Sequence, residues 1–80
     1  MSYEPSNAVK LAQAAALLAA LKASPVSTYD ARDRLGLASP AARVLDLRRA
    51  GHVITTTAST VLDAQGRPHR VAVYHLEGLT

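Results

Sequence analysis

At 80 residues the chain has room for one domain, and a domain of that size buries only about 60–65% of its unfolded surface. The absence of cysteine excludes a disulfide framework, a thiolate zinc site and a cysteine nucleophile, and it fits a reducing, cytoplasmic setting. A net charge of +3, from nine Lys and Arg against six Asp and Glu, leans toward an acidic partner, while the lack of Phe and Trp leaves a core of Leu, Val, Ile and Ala.

Taken in chain order, residues 1–7 are polar and turn-like and are expected to be flexible. A first helix starts at Ser6 or Asn7, either of which can cap it, and runs to Lys22 or Ala23. Leu11, Leu17, Leu18 and Leu21 recur at helical spacing, with Lys10 and Gln13 opposite. Alanine fills most other positions and favours the helix. The apolar stretch from Ala14 to Ala23 is too short to span a bilayer. Glu4 is the only charge before Lys10, so the basic start of a signal peptide is missing. Ser24-Pro25 ends the helix, because the residue before proline avoids helical backbone.

Ser27, three residues before Asp30, forms a capping signature for a second helix from Thr28 to Leu35, with Ala31 and Leu35 facing inward. Gly36 is its left-handed terminator. After the turn Gly36-Leu37-Ala38, Ser39 caps a third helix with Pro40 at its first position. That helix runs to Ala50 and closes at Gly51. Its inner side is read as Ala41, Val44, Leu45 and Arg48, and its outer side as Arg43, Asp46, Arg49 and Ala50. From His52 the period changes. His52–Thr57 is rich in β-branched residues and Arg70–Leu76 alternates, which predicts two strands. Between them Asp63-Ala64-Gln65-Gly66-Arg67 reads as a type I turn followed by a left-handed glycine. The expected architecture is α+β: three helices followed by a two-stranded hairpin, occupying residues 8–77, with 78–80 as a tail.

The charge is unevenly placed. Lys10 and Lys22 balance Glu4 and Asp30, and Arg67 and Arg70 balance Asp63 and Glu77. The excess lies in 31–52, where Arg32, Arg34, Arg43, Arg48 and Arg49 face only Asp33 and Asp46. Arginine's planar fork suits phosphate oxygens and guanine edges. Two short helices joined by a tight turn, the second one capped and arginine-bearing, make a helix-turn-helix unit. In such a unit the start of the second helix faces base edges in the major groove. That places Ser39, Ala41, Ala42 and Arg43 toward the bases, with Arg43 reaching a guanine and Arg49 a phosphate. Gln65, Arg67, His69 and Arg70 lie near the hairpin tip, within reach of a minor groove or phosphates.

The run from Ser24 to Thr55 contains Leu35-Gly36-Leu37, then Ser39-Pro40-Ala41-Ala42-Arg43, then Leu47-Arg48 and the closing Gly51. It resembles the small winged helix-turn-helix proteins of bacteria and their prophages. Asp63–Arg67, with the β-rich segment ending in Tyr74, resembles the wing of that family. The resemblance covers about residues 11–77. It implies binding to double-stranded DNA, in a transcriptional or phage-related role, with Ser39, Ala42, Arg43, Arg49, Arg67 and Arg70 as the contact residues.

Other readings of the same residues stay open. Arg43 has Asp46 at i+3 as an ion-pair partner, and Arg48 suits a structural role with its stem packed and its head in water. His52, His69 and His75 match no metal-ligand spacing, so no metal or other cofactor is expected. No nucleophile elbow or phosphate loop is present, so neither an enzyme nor a small-molecule substrate is expected. The alanine face of the first helix (Ala12, Ala16, Ala19, Ala20) suits a homodimer seam. A rival reading is a protein-docking module, an accessory subunit of a replication or transcription assembly, since a fold does not decide function.

Overall fold

A computed structural model of the chain describes residues 6–78. The expected flexible start and tail therefore lie mostly outside the described residues, with only Ser6, Asn7 and Gly78 placed. The elements are α1 (Asn7–Ala23), β1 (Val26–Ser27), α2 (Thr28–Asp33), α3 (Pro40–Arg49), β2 (Ile54–Leu62) and β3 (Pro68–Leu76).

The Ser6 hydroxyl accepts the Val9 N–H at 3.2 Å and starts α1. Ala14, Leu17 and Leu21 form its buried stripe. Leu18 packs beside them, whereas Leu11, expected in the same stripe, is 72% exposed. Gln13, expected on the outer side, turns toward α3 instead, where Arg43 donates to it.

After the stop at Ser24-Pro25 the chain forms a strand that the sequence reading does not contain. Val26 pairs with Tyr74 and Ser27 with Val73. Ser27 then serves twice, because its hydroxyl also accepts the Asp30 N–H at 3.0 Å and caps α2. This second helix ends at Asp33 rather than Leu35. Arg34 and Leu35 both donate to the Asp30 carbonyl, which widens the last turn as the helix ends. Gly36 takes a φ of +68°, open to glycine at little cost. The Leu37 N–H then bonds the Ala31 carbonyl at 2.9 Å and carries Leu37 into the core.

Helix α3 buries Pro40, Arg43, Val44 and Leu47, a face about 100°, one residue step, from the expected one. Ala41 and Leu45, read as inward, are exposed. Val44 and Leu47 complete an i, i+4, i+7 stripe with Pro40, and this stripe excludes Leu45. The helix closes where Gly51 and His52 donate to the carbonyls of Arg48 and Leu47, a Schellman-type end.

The sheet is antiparallel with order β1-β3-β2, so the expected two-stranded hairpin is part of a three-stranded sheet. β2 and β3 pair continuously from Ile54↔Leu76 to Leu62↔Pro68. At the tip the Gly66 N–H donates to the Asp63 carbonyl, and the Asp63 N–H to that of Arg67, both at 2.9 Å. Gly66 has φ +80°, as the expected bulged turn requires. The core gathers Leu17 and Leu21 of α1, Val26, Ala31, Leu37, Val44 and Leu47 of α3, Ile54 and Tyr74. Of the nine residues of β2 only Ile54 is buried, so the hairpin extends well past the helices.

Candidate nucleic-acid interface

Helix α3 joins a buried face to an open one. Ala42, Leu45 and Arg49, at i, i+3 and i+7, lie opposite the buried stripe. Leu45 is 45% exposed, Arg49 is exposed and Ala42 is half-buried. At the start of the helix, Ser39 forms no side-chain cap, although a cap was expected there. Its carbonyl accepts the Ala42 and Arg43 N–H groups, and its hydroxyl stays uncommitted on an exposed residue.

Arg43, expected at a guanine, is the main correction. Its residue is 6% exposed, held between α1 and α3. Nη1 donates to Gln13 Oε1 at 3.2 Å. Nε lies 3.0 Å from Asp46 Oδ2, but its N–H is poorly aligned, so Nε makes no hydrogen bond and the attraction is mainly Coulombic. A cation removed from water in this way needs its partners. Its place is therefore structural, fixing the pose of α3 against α1, and it does not reach outward.

Arg48 is likewise engaged with the protein. Nε and Nη2 donate to the Ile54 carbonyl at 2.9 and 2.7 Å, and Nη2 also donates to Thr56 Oγ1 at 3.0 Å. These bonds tie the end of α3 to the first residues of β2.

Outward-facing cations instead gather on α2 and the wing. An open groove of about 490 Å³ is lined by Thr28, Tyr29, Arg32 and Asp33 of α2 and by Arg70, Val71 and Ala72 of β3. Thr28 anchors one wall by donating its hydroxyl to the Ala72 carbonyl at 3.3 Å. Tyr29 is 51% exposed. Arg32 and Arg70 thus line one groove, with Asp33 as the carboxylate in its lining. Arg70 is among the expected contact residues and Arg32 and Tyr29 are not, because the groove forms only once distant segments meet.

The tip is organised by Asp63. Its Oδ1 accepts the Gln65 and Arg67 N–H groups, both at 2.9 Å, and its Oδ2 lies 2.8 Å from His69 Nε2. The His69 hydrogen bond and then the Arg67 backbone N–H hold the Asp63 carboxyl below its ordinary pKa; desolvation opposes them and the Gln65 N–H adds the least. Arg67 keeps a side chain 71% exposed, with Nε 3.7 Å from Asp63 Oδ2. His75 meets Thr57 Oγ1 at 2.9 Å, and it pairs across the ladder with Thr55. Among the described residues no group of three His, Asp or Glu side chains is placed to hold a metal ion, and no helix is long and apolar enough to cross a membrane.

A helix-turn-helix whose third helix leads into a projecting, cation-bearing hairpin defines a small DNA-binding type of domain. The chain belongs to the winged helix-turn-helix domain family, which matches it over residues 12–78, from the first turns of α1 to just beyond β3. No curated protein and no solved structure matches the chain.

Proposed function

We propose that the protein binds double-stranded DNA sequence-specifically, as a small transcriptional regulator of the kind found in bacteria and their prophages. The reading rests first on Arg32 and Arg70, both exposed, lining one open groove between α2 and the wing. Paired guanidinium groups with few nearby carboxylates suit a backbone phosphate.

Beside this anchor, the open side of α3 enters the major groove, roughly 12 Å wide. Small residues at Ala41 and Ala42 let the helix approach closely. Leu45 and the two alanines suit apolar contact with thymine methyl groups, and the Ser39 hydroxyl suits a base edge or a phosphate. Arg49 takes a phosphate at the far end of the helix, and Arg67 reaches the backbone or the minor groove from the tip. Arg43 acts from inside by fixing the helix that reads.

Fluorescence anisotropy of a labelled random-sequence duplex, titrated at several salt concentrations, tests the reading. Binding is expected to weaken linearly with log salt at a slope of about −0.9 per neutralised phosphate. It is also expected to weaken in an Arg32→Ala/Arg70→Ala variant. No binding at low salt would remove the DNA reading in favour of protein docking.

A further inference from the structure

The outer edge of β2 is an open sheet edge among the described residues. Glu77 donates to the Val53 carbonyl at 2.8 Å, and Asp63 donates to that of Arg67 at 2.9 Å. These two bonds bracket the ladder and fix its phase. Odd-numbered residues of β2 exchange hydrogen bonds with β3, while Ile54, Thr56, Ala58, Thr60 and Leu62 direct N–H and C=O away from it. Among the described residues no strand pairs with that side. At the start of the strand Arg48 covers the Ile54 carbonyl and donates to the Thr56 hydroxyl, which leaves the backbone groups of Thr56, Ala58, Thr60 and Leu62 open.

Folded proteins normally blunt such an edge with charge, proline, a bulge or a covering element. The other strand of the wing has these devices. β3 carries Pro68 and Arg70, and its outer edge is covered by β1 and by Thr28 of α2. β2, with the sequence ITTTASTVL, has no charge, no proline, no glycine and an unbroken register with β3.

The same strand matches itself when reversed. About Ala58, Ile54 opposes Leu62, Thr55 opposes Val61, Thr56 opposes Thr60 and Thr57 opposes Ser59. We infer that β2 is a homodimer seam, pairing antiparallel with β2 of a second copy about a two-fold axis at Ala58 and joining two three-stranded sheets into one. Of the symmetric registers, this one alone pairs the strand along its whole length. It brings outward-pointing residues opposite one another, so each Thr56–Thr60 pair and the Ala58–Ala58 pair can exchange two hydrogen bonds. It sets Leu62, 68% exposed, against Ile54 of the second copy, and it opposes no like charges.

The two-fold axis stands perpendicular to the joined sheet, so both helical layers share one face. The two Ile54 residues, each following an α3, lie about 27 Å apart at roughly 3.3 Å per residue. The spacing is of the order of one DNA turn. A seam made chiefly of one strand pair is small, so the dimer is concentration-dependent.

Sedimentation equilibrium of the whole chain tests the seam, using Ala58→Lys, Ala12→Lys and Ala58→Cys variants. Wild type should approach the mass of two chains as concentration rises. Ala58→Lys sets like charges opposite each other at the axis and should weaken association at least ~tenfold, with far-UV circular dichroism unchanged. Ala12→Lys, on the exposed face of α1, should associate like wild type. In a chain without cysteine, Ala58→Cys should oxidise to a covalent dimer, because hydrogen-bonded partners sit about 5.5 Å apart between Cα atoms. Wild type that stays monomeric overturns the seam. So does a dimer lost on Ala12→Lys but kept on Ala58→Lys, which would place the contact on α1.

Discussion

Helix α3 and the wing both carry cationic side chains, but they use them in opposite ways. α3 has Arg43, Arg48 and Arg49. Arg43 is buried against Gln13 and Asp46, and Arg48 is bonded to β2, so only Arg49 is left outward. The wing keeps Arg67 and Arg70 exposed, and Arg70 joins Arg32 of α2 in one groove. A count of charge along the chain spreads the excess over α2 and α3, whereas folding engages two of the three α3 arginines and leaves the usable surface to Arg49, α2 and the wing. Where a cation lies in sequence therefore says little about whether a phosphate can reach it.

The sharpest way to break this contrast is to remove the buried arginine. Arg43→Ala leaves a void and takes the partner from Asp46, and it should cost about 2–4 kcal/mol. For a chain of this size that lowers the melting temperature by roughly 10–25 °C. Arg43→Met fills the volume without the charge and should recover much of the loss. Equal, small effects of both substitutions on denaturant midpoints would show that Arg43 does not lock the helix.

Arg48 should matter less. Arg48→Ala removes three hydrogen bonds to β2, but the carbonyl it releases can turn to water. A loss of about 1 kcal/mol is expected, concentrated in faster amide exchange over the first residues of β2.

The outward cations should behave in the reverse manner. Arg32→Ala and Arg70→Ala should each change stability by no more than about 0.5 kcal/mol. Each should reduce the salt slope of duplex binding by about 1. A drop in stability without a change in slope would place these residues in the fold instead.

The smallest effect belongs to the wing tip. The folded state depresses the Asp63 pKa, so the stability contributed by its carboxylate is present above the ordinary carboxylate range. It is lost as pH falls through the depressed folded value. Below about pH 4, the protection of the Gln65 and Arg67 amides, taken relative to their intrinsic exchange rates, should fall before that of the core. Asp63→Ala should show the lower protection already at neutral pH, with no further loss on acidification.

Much of the fold is legible in the sequence because its signals are local. Ser27 ahead of Asp30, Gly36 between the helices, Pro40 at a helix start and Gly66 in the hairpin each determine backbone within a few residues. What is not legible depends on distant partners. β1 is only Val26-Ser27, and β3 alone makes it a strand. The rotation of α3 is equally non-local. Val44, Leu45 and Leu47 offer two rival apolar stripes, and packing against α1, with Gln13 meeting Arg43, selects the one containing Leu47. Asp46 at i+3 is the local hint that Arg43 is engaged, and nothing local tells that its stem is buried. In the candidate site, Arg49, Arg67 and Arg70 are exposed where the sequence expects them to be. Arg32 and Tyr29 become neighbours of Arg70 only through folding.

The most direct test of the account is the salt dependence of duplex binding for three proteins: wild type, Arg43→Met and an Arg32→Ala/Arg49→Ala/Arg70→Ala variant. A structural Arg43 predicts that Arg43→Met keeps the wild-type slope of log affinity against log salt, whereas the triple variant loses about 3 from it while remaining folded. A slope that falls in Arg43→Met and holds in the triple variant would contradict the account and return the contact to the third helix.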